Sequence, residues 1–80
     1  MMTVNFKSCD QKLDCYSIIC KNTDIFSNLE RILYKNNKEY YDSENYFTVN
    51  GIKVTNHKTL KENNIKNNDI IILNYWIYNK

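Results

Sequence analysis

Apolar and polar residues alternate along this chain with two distinct periods, and the periods mark its elements. From Thr3 to Lys7 the alternation is strict, with Val4 and Phe6 on one side and Thr3, Asn5 and Lys7 on the other, as a half-buried strand requires. Ser8 to Lys12 carry turn-type residues, Asp10 among them, and a second strand is expected from about Leu13 to Cys20. There Tyr16, Ile18 and Cys20 are expected to face inward, although Ile18-Ile19 is apolar on both sides and a one-residue slip would exchange the faces. The period then lengthens. Phe26, Leu29 and Leu33 recur at helical spacing, and Ile25 and Ile32 are expected to widen the apolar stripe. Thr23 and Asp24 offer side-chain oxygens as N-caps. Lys35 and Lys38 fall near the far end, where cations suit the helix dipole, and Asn36-Asn37 supplies a stop. The pattern predicts one amphipathic helix of about three turns.

Glu39 to Asn45 form a polar connector, with Tyr40 and Tyr41 expected to cover the edge of the core. The stretch from Asn45 to Trp76 then reads as a strand, a tight turn at Asn50-Gly51, a short strand, a one-turn helical loop and a final strand. Asn-Gly between apolar alternations is a strong hairpin signal, because both turn residues must take positive φ. Phe47, Val49, Val54, Leu60, Ile65, Ile71 and Leu73 fall where one packed face needs them. The order β-β-α-β-β predicts an α+β fold of the β-grasp type. It has a mixed sheet of four to five strands, one helix packed across it, and the first and last strands side by side and parallel. No repeat or linker divides the chain, so residues 1–80 are expected to form a single domain.

The run F-x-V-N-G-I-K-V, followed by K-T-L-K-E-N-N-I-K-N-N-D-I-I-I-L, resembles the second half of ubiquitin and ubiquitin-like domains. The residues that carry the resemblance are Gly51, Thr59-Leu60, Asn64-Ile65 and Ile71-x-Leu73. Conjugated members of that family end in Gly-Gly, whereas this chain ends in Tyr75, Trp76, Ile77, Tyr78, Asn79 and Lys80. Two lysine positions of ubiquitin, just after the hairpin glycine and in the loop after the Asn-Ile pair, are matched by Ile52 and Asn67. The resemblance therefore implies a non-conjugated ubiquitin-like domain, with modifier activity the least expected role.

Composition narrows the chemistry. Hydrophobic residues make up 42% and charged residues 25% of the chain, which fits a folded domain rather than a disordered one. The net charge is +2 and the lysines are scattered among nine acids, unlike the basic stripe of a nucleic-acid binder. Cys9, Cys15 and Cys20 are an odd number of thiols with no secretory signal before them, so reduced cysteines in a cytoplasmic setting are expected. No apolar run is long enough to span a bilayer. The cysteines are separated by five and by four residues, and His57 is the one histidine. That spacing is not a zinc pattern, and neither a metal site nor a Cys-His nucleophile is expected. With Gly51 as the sole glycine there is no phosphate-cradling loop. Asp42 and Glu44 sit in the connector with no evident pocket. The expectation is a non-enzyme that needs no cofactor, metal or small-molecule substrate.

The expected working surface is the face of the sheet that the helix leaves open. With Ile71 and Leu73 inward, period two turns Ile70, Ile72, Asn74 and Trp76 outward, joined by Lys7, Tyr46 and Thr48 from neighbouring strands. The resemblance places Ile72, Asn74 and Thr48 at positions of ubiquitin's apolar recognition patch, two of them polar here. An apolar and aromatic set on a wet face is the composition of an interface. The expected function is therefore protein–protein interaction, as a small subunit or module of a larger complex. The alternative is an RNA- or ribonucleoprotein-associated subunit that uses lysines with aromatic stacking.

Overall fold

The computed structural model describes residues 1–41 and 44–75. Among these residues are five strands, β1 (Met2–Ser8), β2 (Tyr16–Cys20), β3 (Asn45–Val49), β4 (Ile52–Lys53) and β5 (Ile70–Tyr75), with one helix, α1 (Phe26–Asn36), and a 3-10 turn at Lys38–Tyr40. The sheet order is β2-β1-β5-β3-β4. β1 and β5 run parallel, with Phe6 opposite Ile71 and Ser8 opposite Leu73; the β1–β2, β3–β4 and β3–β5 pairs are antiparallel. The fold is α+β, a β-grasp-like roll with α1 across one face of a mixed five-stranded sheet.

The core lies between helix and sheet. Val4 and Phe6 of β1, Phe47 and Val49 of β3, and Ile71 and Leu73 of β5 meet Phe26, Leu29 and Leu33 of α1. Three rings form its centre: Phe26 lies 5.2 Å from Phe47 and 6.1 Å from Phe6, and Phe6 lies 5.8 Å from Phe47, centroid to centroid. Such tilted and edge-on contacts suit the quadrupoles of aromatic rings.

The turns follow from a chain with a single glycine. Asn50 (φ 53°) and Gly51 (φ 80°) make the hairpin turn, and Asn64 (φ 57°) and Asn68 (φ 70°) take the other left-handed positions after β4. Asparagine tolerates this region better than most side chains. A Cβ on Gly51 would meet nothing within 4 Å, so the backbone dihedral, not space, is what requires glycine there.

Several details differ from the sequence-based expectation. β2 begins at Tyr16 rather than Leu13. The intervening loop is closed on itself instead: the Ser8 hydroxyl donates to Asp10 Oδ1 (2.6 Å) and accepts from the Leu13 N–H (2.8 Å), while Leu13 is buried from within the loop. In the strand Ile18 and Cys20 are buried, but Tyr16 at its start is only half-buried. Ile25 and Ile32 are 41% and 43% exposed; one line of helix side chains is enough to meet the sheet, and the flanking isoleucines stay outside it. Tyr40 is buried and stacks on Tyr75 at 6.3 Å, but Tyr41 is 71% exposed.

Neither Thr23 nor Asp24 caps α1. Ile25 is the residue before the helix, with extended backbone and no side-chain cap, and the Asp24 carboxylate accepts from the Lys21 N–H instead. Backbone carbonyls from a distant loop satisfy the helix start: Phe26 N–H donates to Lys58 O and Ser27 N–H to Asn56 O, both at 2.9 Å. The same two segments continue to pair, with Leu60 N–H on Asp24 O and Lys61 N–H on Asn22 O. Orphan helix donors need partners of some kind, and tertiary structure provides them here.

The loop that does this is itself built around a reciprocal cap. Thr59 N–H donates to Glu62 Oε1 (2.9 Å) and Glu62 N–H to Thr59 Oγ1 (3.0 Å), the geometry of a capping box. Hydrogen bonds from Thr59 hold the Glu62 carboxyl below its ordinary value of 4.5, and the Ser8 hydroxyl first, then the Lys12 N–H, hold Asp10 below 3.8. A carboxyl whose folded pKa is depressed stabilises the fold above its unfolded pKa and loses that contribution as pH falls through the folded one. Thermal midpoints are therefore expected to fall as pH drops below 4.5, and Glu62→Gln to fall less over the same range. Both groups are solvent-exposed, so the effect is small; identical slopes for wild type and variant would remove Glu62 as its source.

Candidate protein-binding face

Strand pairing arranges the open face in rows. Lys7, Ile72, Thr48 and Lys53 stand opposite one another across β1, β5, β3 and β4. One row toward the start of β5, Ser17, Asn5 and Ile70 align, and one row the other way Tyr46 faces Asn74. Ile70 is 46% exposed, whereas Lys7, Tyr46, Thr48, Ile72 and Asn74 are half-buried. The structure thus gathers six of the seven expected residues on one surface; the seventh, Trp76, lies outside the described residues.

Two of the six are occupied with each other. Asn74 Nδ2 donates to Thr48 Oγ1 (3.1 Å) and to Ile72 O (3.1 Å), so its amide ties β5 to β3. Asn5 plays the matching part at the other side: its Oδ1 accepts from the Ser17 hydroxyl (2.7 Å) and its Nδ2 donates to Asn68 O (3.3 Å). Polar groups already paired within the sheet have little left to offer a partner. The apolar side chains of the face are Ile70 and Ile72, with the Tyr46 ring and the lysines Lys7 and Lys53 beside them.

Sequence reasoning missed two residues of this surface. Lys53 lies opposite Thr48, and its ammonium sits 5.8 Å from the centroid of the Tyr46 ring, within cation–π range. A two-residue Asn-Gly turn fixes the pairing on either side of it, so Lys53 was readable from the turn alone. Ile19, opposite Thr3 and 69% exposed, extends the apolar area onto β2; the ambiguous Ile18-Ile19 pair concealed it. In the rows named here every charged residue is a lysine; Asp14, from the loop before β2, lines one depression with Lys7 and Ile72.

The thiols are elsewhere. Cys9 and Cys15 are exposed and Cys20 is buried. Burial first, and the Asp24 charge second, push the Cys20 thiol up, which keeps it protonated and unreactive. Among the described residues no three His, Cys, Asp or Glu side chains gather as a metal site, and no helix is long and apolar enough to cross a membrane. Compared with protein-family models and with curated protein sequences, the chain matches none.

Proposed function

We propose that this chain is a non-enzymatic interaction module of ubiquitin-like type, non-conjugated, that docks another protein on the open face of its sheet. One observation carries the reading: Ile70, Ile72 and Tyr46 share a face whose charges, in the paired rows, are Lys7 and Lys53 alone. A partner of matching chemistry presents an apolar centre rimmed by carboxylates, since complementary charge gives register and on-rate while the apolar anchor gives affinity. The β-grasp-like roll and the left-handed Asn50-Gly51 and Asn64 positions support the family resemblance. Association with RNA through this face is the weaker reading, because a stacking base needs an open ring and the Lys53 ammonium lies over Tyr46.

Affinity capture quantified against wild type tests the proposal. Ile72→Asp buries a carboxylate between Lys7 and Thr48 and should reduce recovery of the bound protein at least about tenfold, the loss of a central anchor. Ile70→Asp, at a more exposed position, should reduce recovery of the same protein. Both variants should keep a cooperative melt, with Ile72→Asp somewhat less stable because aspartate is a poor strand former. Equal recovery with both variants would place the docking surface elsewhere.

A further inference from the structure

A second surface lies on the other layer of the fold. Arg31 and Lys35, one turn apart on α1, line an open groove of about 520 Å³ together with Lys38 of the 3-10 turn and the rings of Tyr34 and Tyr41. The groove is formed mostly of apolar surface, supplied by the two rings and the methylene stems of the three cationic residues. Tyr34 is fixed: its hydroxyl donates to Glu30 Oε2 (2.8 Å) and accepts from Asn45 Nδ2 (3.1 Å). Tyr41 stands edge-on to it at 6.3 Å and is 71% exposed. None of the three cations is in an ion pair with another described residue. Glu30, the nearest carboxylate along the helix, is instead engaged by the Tyr34 hydroxyl and the Asn56 amide. The negative end of the helix dipole points here, but the Asn36 and Asn37 amides cover the Ile32 and Leu33 carbonyls at 3.0 Å.

We infer that this groove binds a short acidic peptide segment, with an apolar side chain set against the tyrosines and carboxylates paired with Arg31, Lys35 and Lys38. The cations supply the charge complementarity, and the rigid ring of Tyr34 with its exposed neighbour supplies a floor that an apolar side chain can cover at low entropic cost. A strand of nucleic acid fits less well. It needs successive stacking platforms along a continuous basic track, whereas the two rings of this groove stand edge-on to each other. The inference does not depend on the open sheet face, which lies on the opposite side of the sheet from α1.

Fluorescence anisotropy with the full chain and a labelled decapeptide of alternating glutamate and leucine tests it. The same peptide with glutamine for each glutamate, and a ten-nucleotide oligouridylate, serve as comparators. The acidic peptide should bind, and raising salt from about 50 to about 300 mM should weaken it several-fold. The triple variant Arg31→Gln, Lys35→Gln, Lys38→Gln should weaken it at least about tenfold, and Tyr41→Ser alone several-fold, while Lys61→Gln, an exposed lysine outside the groove, leaves it unchanged. All the altered groove positions are exposed, so circular dichroism melts should match wild type, and single Lys35→Gln provides the readout if the triple variant does not fold. Equal binding of the glutamine peptide, wild-type affinity in the folded cation variants, or tighter binding of the oligouridylate would each overturn the inference.

Discussion

Truncating Phe26 to alanine is expected to lower the free energy of unfolding by about 3–5 kcal/mol, which should be visible as a large shift in the urea midpoint at unchanged slope. Phe26 is fully buried and touches both other rings of the core centre, Phe6 on β1 and Phe47 on β3. It is also the first residue of α1, so its loss opens a cavity where the helix is anchored. Around that cavity stand Phe6, Phe47 and the strands that hold them, and a sheet cannot contract to fill a void as a loop can. Domains of this kind have only about 5–15 kcal/mol in total, so the variant is expected to be close to unfolding at physiological temperature. A loss of less than about 1 kcal/mol would mean that the ring cluster does not form the centre of the core.

Asn63→Ala should cost about 2–4 kcal/mol, more than a surface asparagine has any right to by composition alone. Its Oδ1 accepts from the Thr55 N–H (2.8 Å), and its Nδ2 donates to Thr55 O (3.0 Å) and Thr59 O (3.0 Å), with Lys58 O further off at 3.4 Å. One side chain thereby fixes both ends of the loop whose Asn56 and Lys58 carbonyls receive the first N–H groups of α1. Removing it leaves the part-buried Thr55 N–H without its partner, takes one of two donors from the Thr55 and Thr59 carbonyls, and loosens the helix start at a distance. A thermal midpoint lower by at least about 8 °C is expected. Lys61→Ala, an exposed neighbour in the same segment, should change stability by less than about 0.5 kcal/mol. Equal melts for the two variants would show that the asparagine contacts are dispensable.

These two residues mark what could and could not be read from the chain. Phe26, Leu29 and Leu33 announce themselves by spacing, as do Val4-Phe6 and Ile71-Leu73, because burying one face of a periodic element leaves a periodic trace. The hairpin was legible for a different reason, the left-handed dihedrals that Asn-Gly accepts. Asn63 gave no such signal: it stands beside Asn64 and is followed by Asn67 and Asn68, and nothing local tells a hub from a turn residue. The helix cap failed on the same ground. Thr23 and Asp24 have suitable chemistry, but the donors they would have met were taken by the distant carbonyls of Asn56 and Lys58. By contrast, Thr59 and Glu62 spell a capping box three residues apart, a signal that was present and was overlooked. Of the open face, the period-two positions followed directly from the inward pair Ile71 and Leu73. The basic groove did not, since its definition depends on where Tyr34 and Tyr41 pack as well as on the spacing of Arg31 and Lys35.

The place of β5 in the sheet has a consequence for the order in which this molecule assembles. β1 with β2 and β3 with β4 are two antiparallel hairpins, and in the order β2-β1-β5-β3-β4 they are joined only through β5. Each hairpin alone is marginal in water, and β4 is just two residues long. The strand that joins them is the last of the five described strands in chain order, and its pairing of Ile70 with Asn5 closes a long loop of chain. Long-range parallel pairing of this sort must meet its entropic cost before any contact rewards it. Neither half-sheet is therefore expected to persist before β5 joins them, so the five strands should assemble together once β5 pairs with β1 and β3.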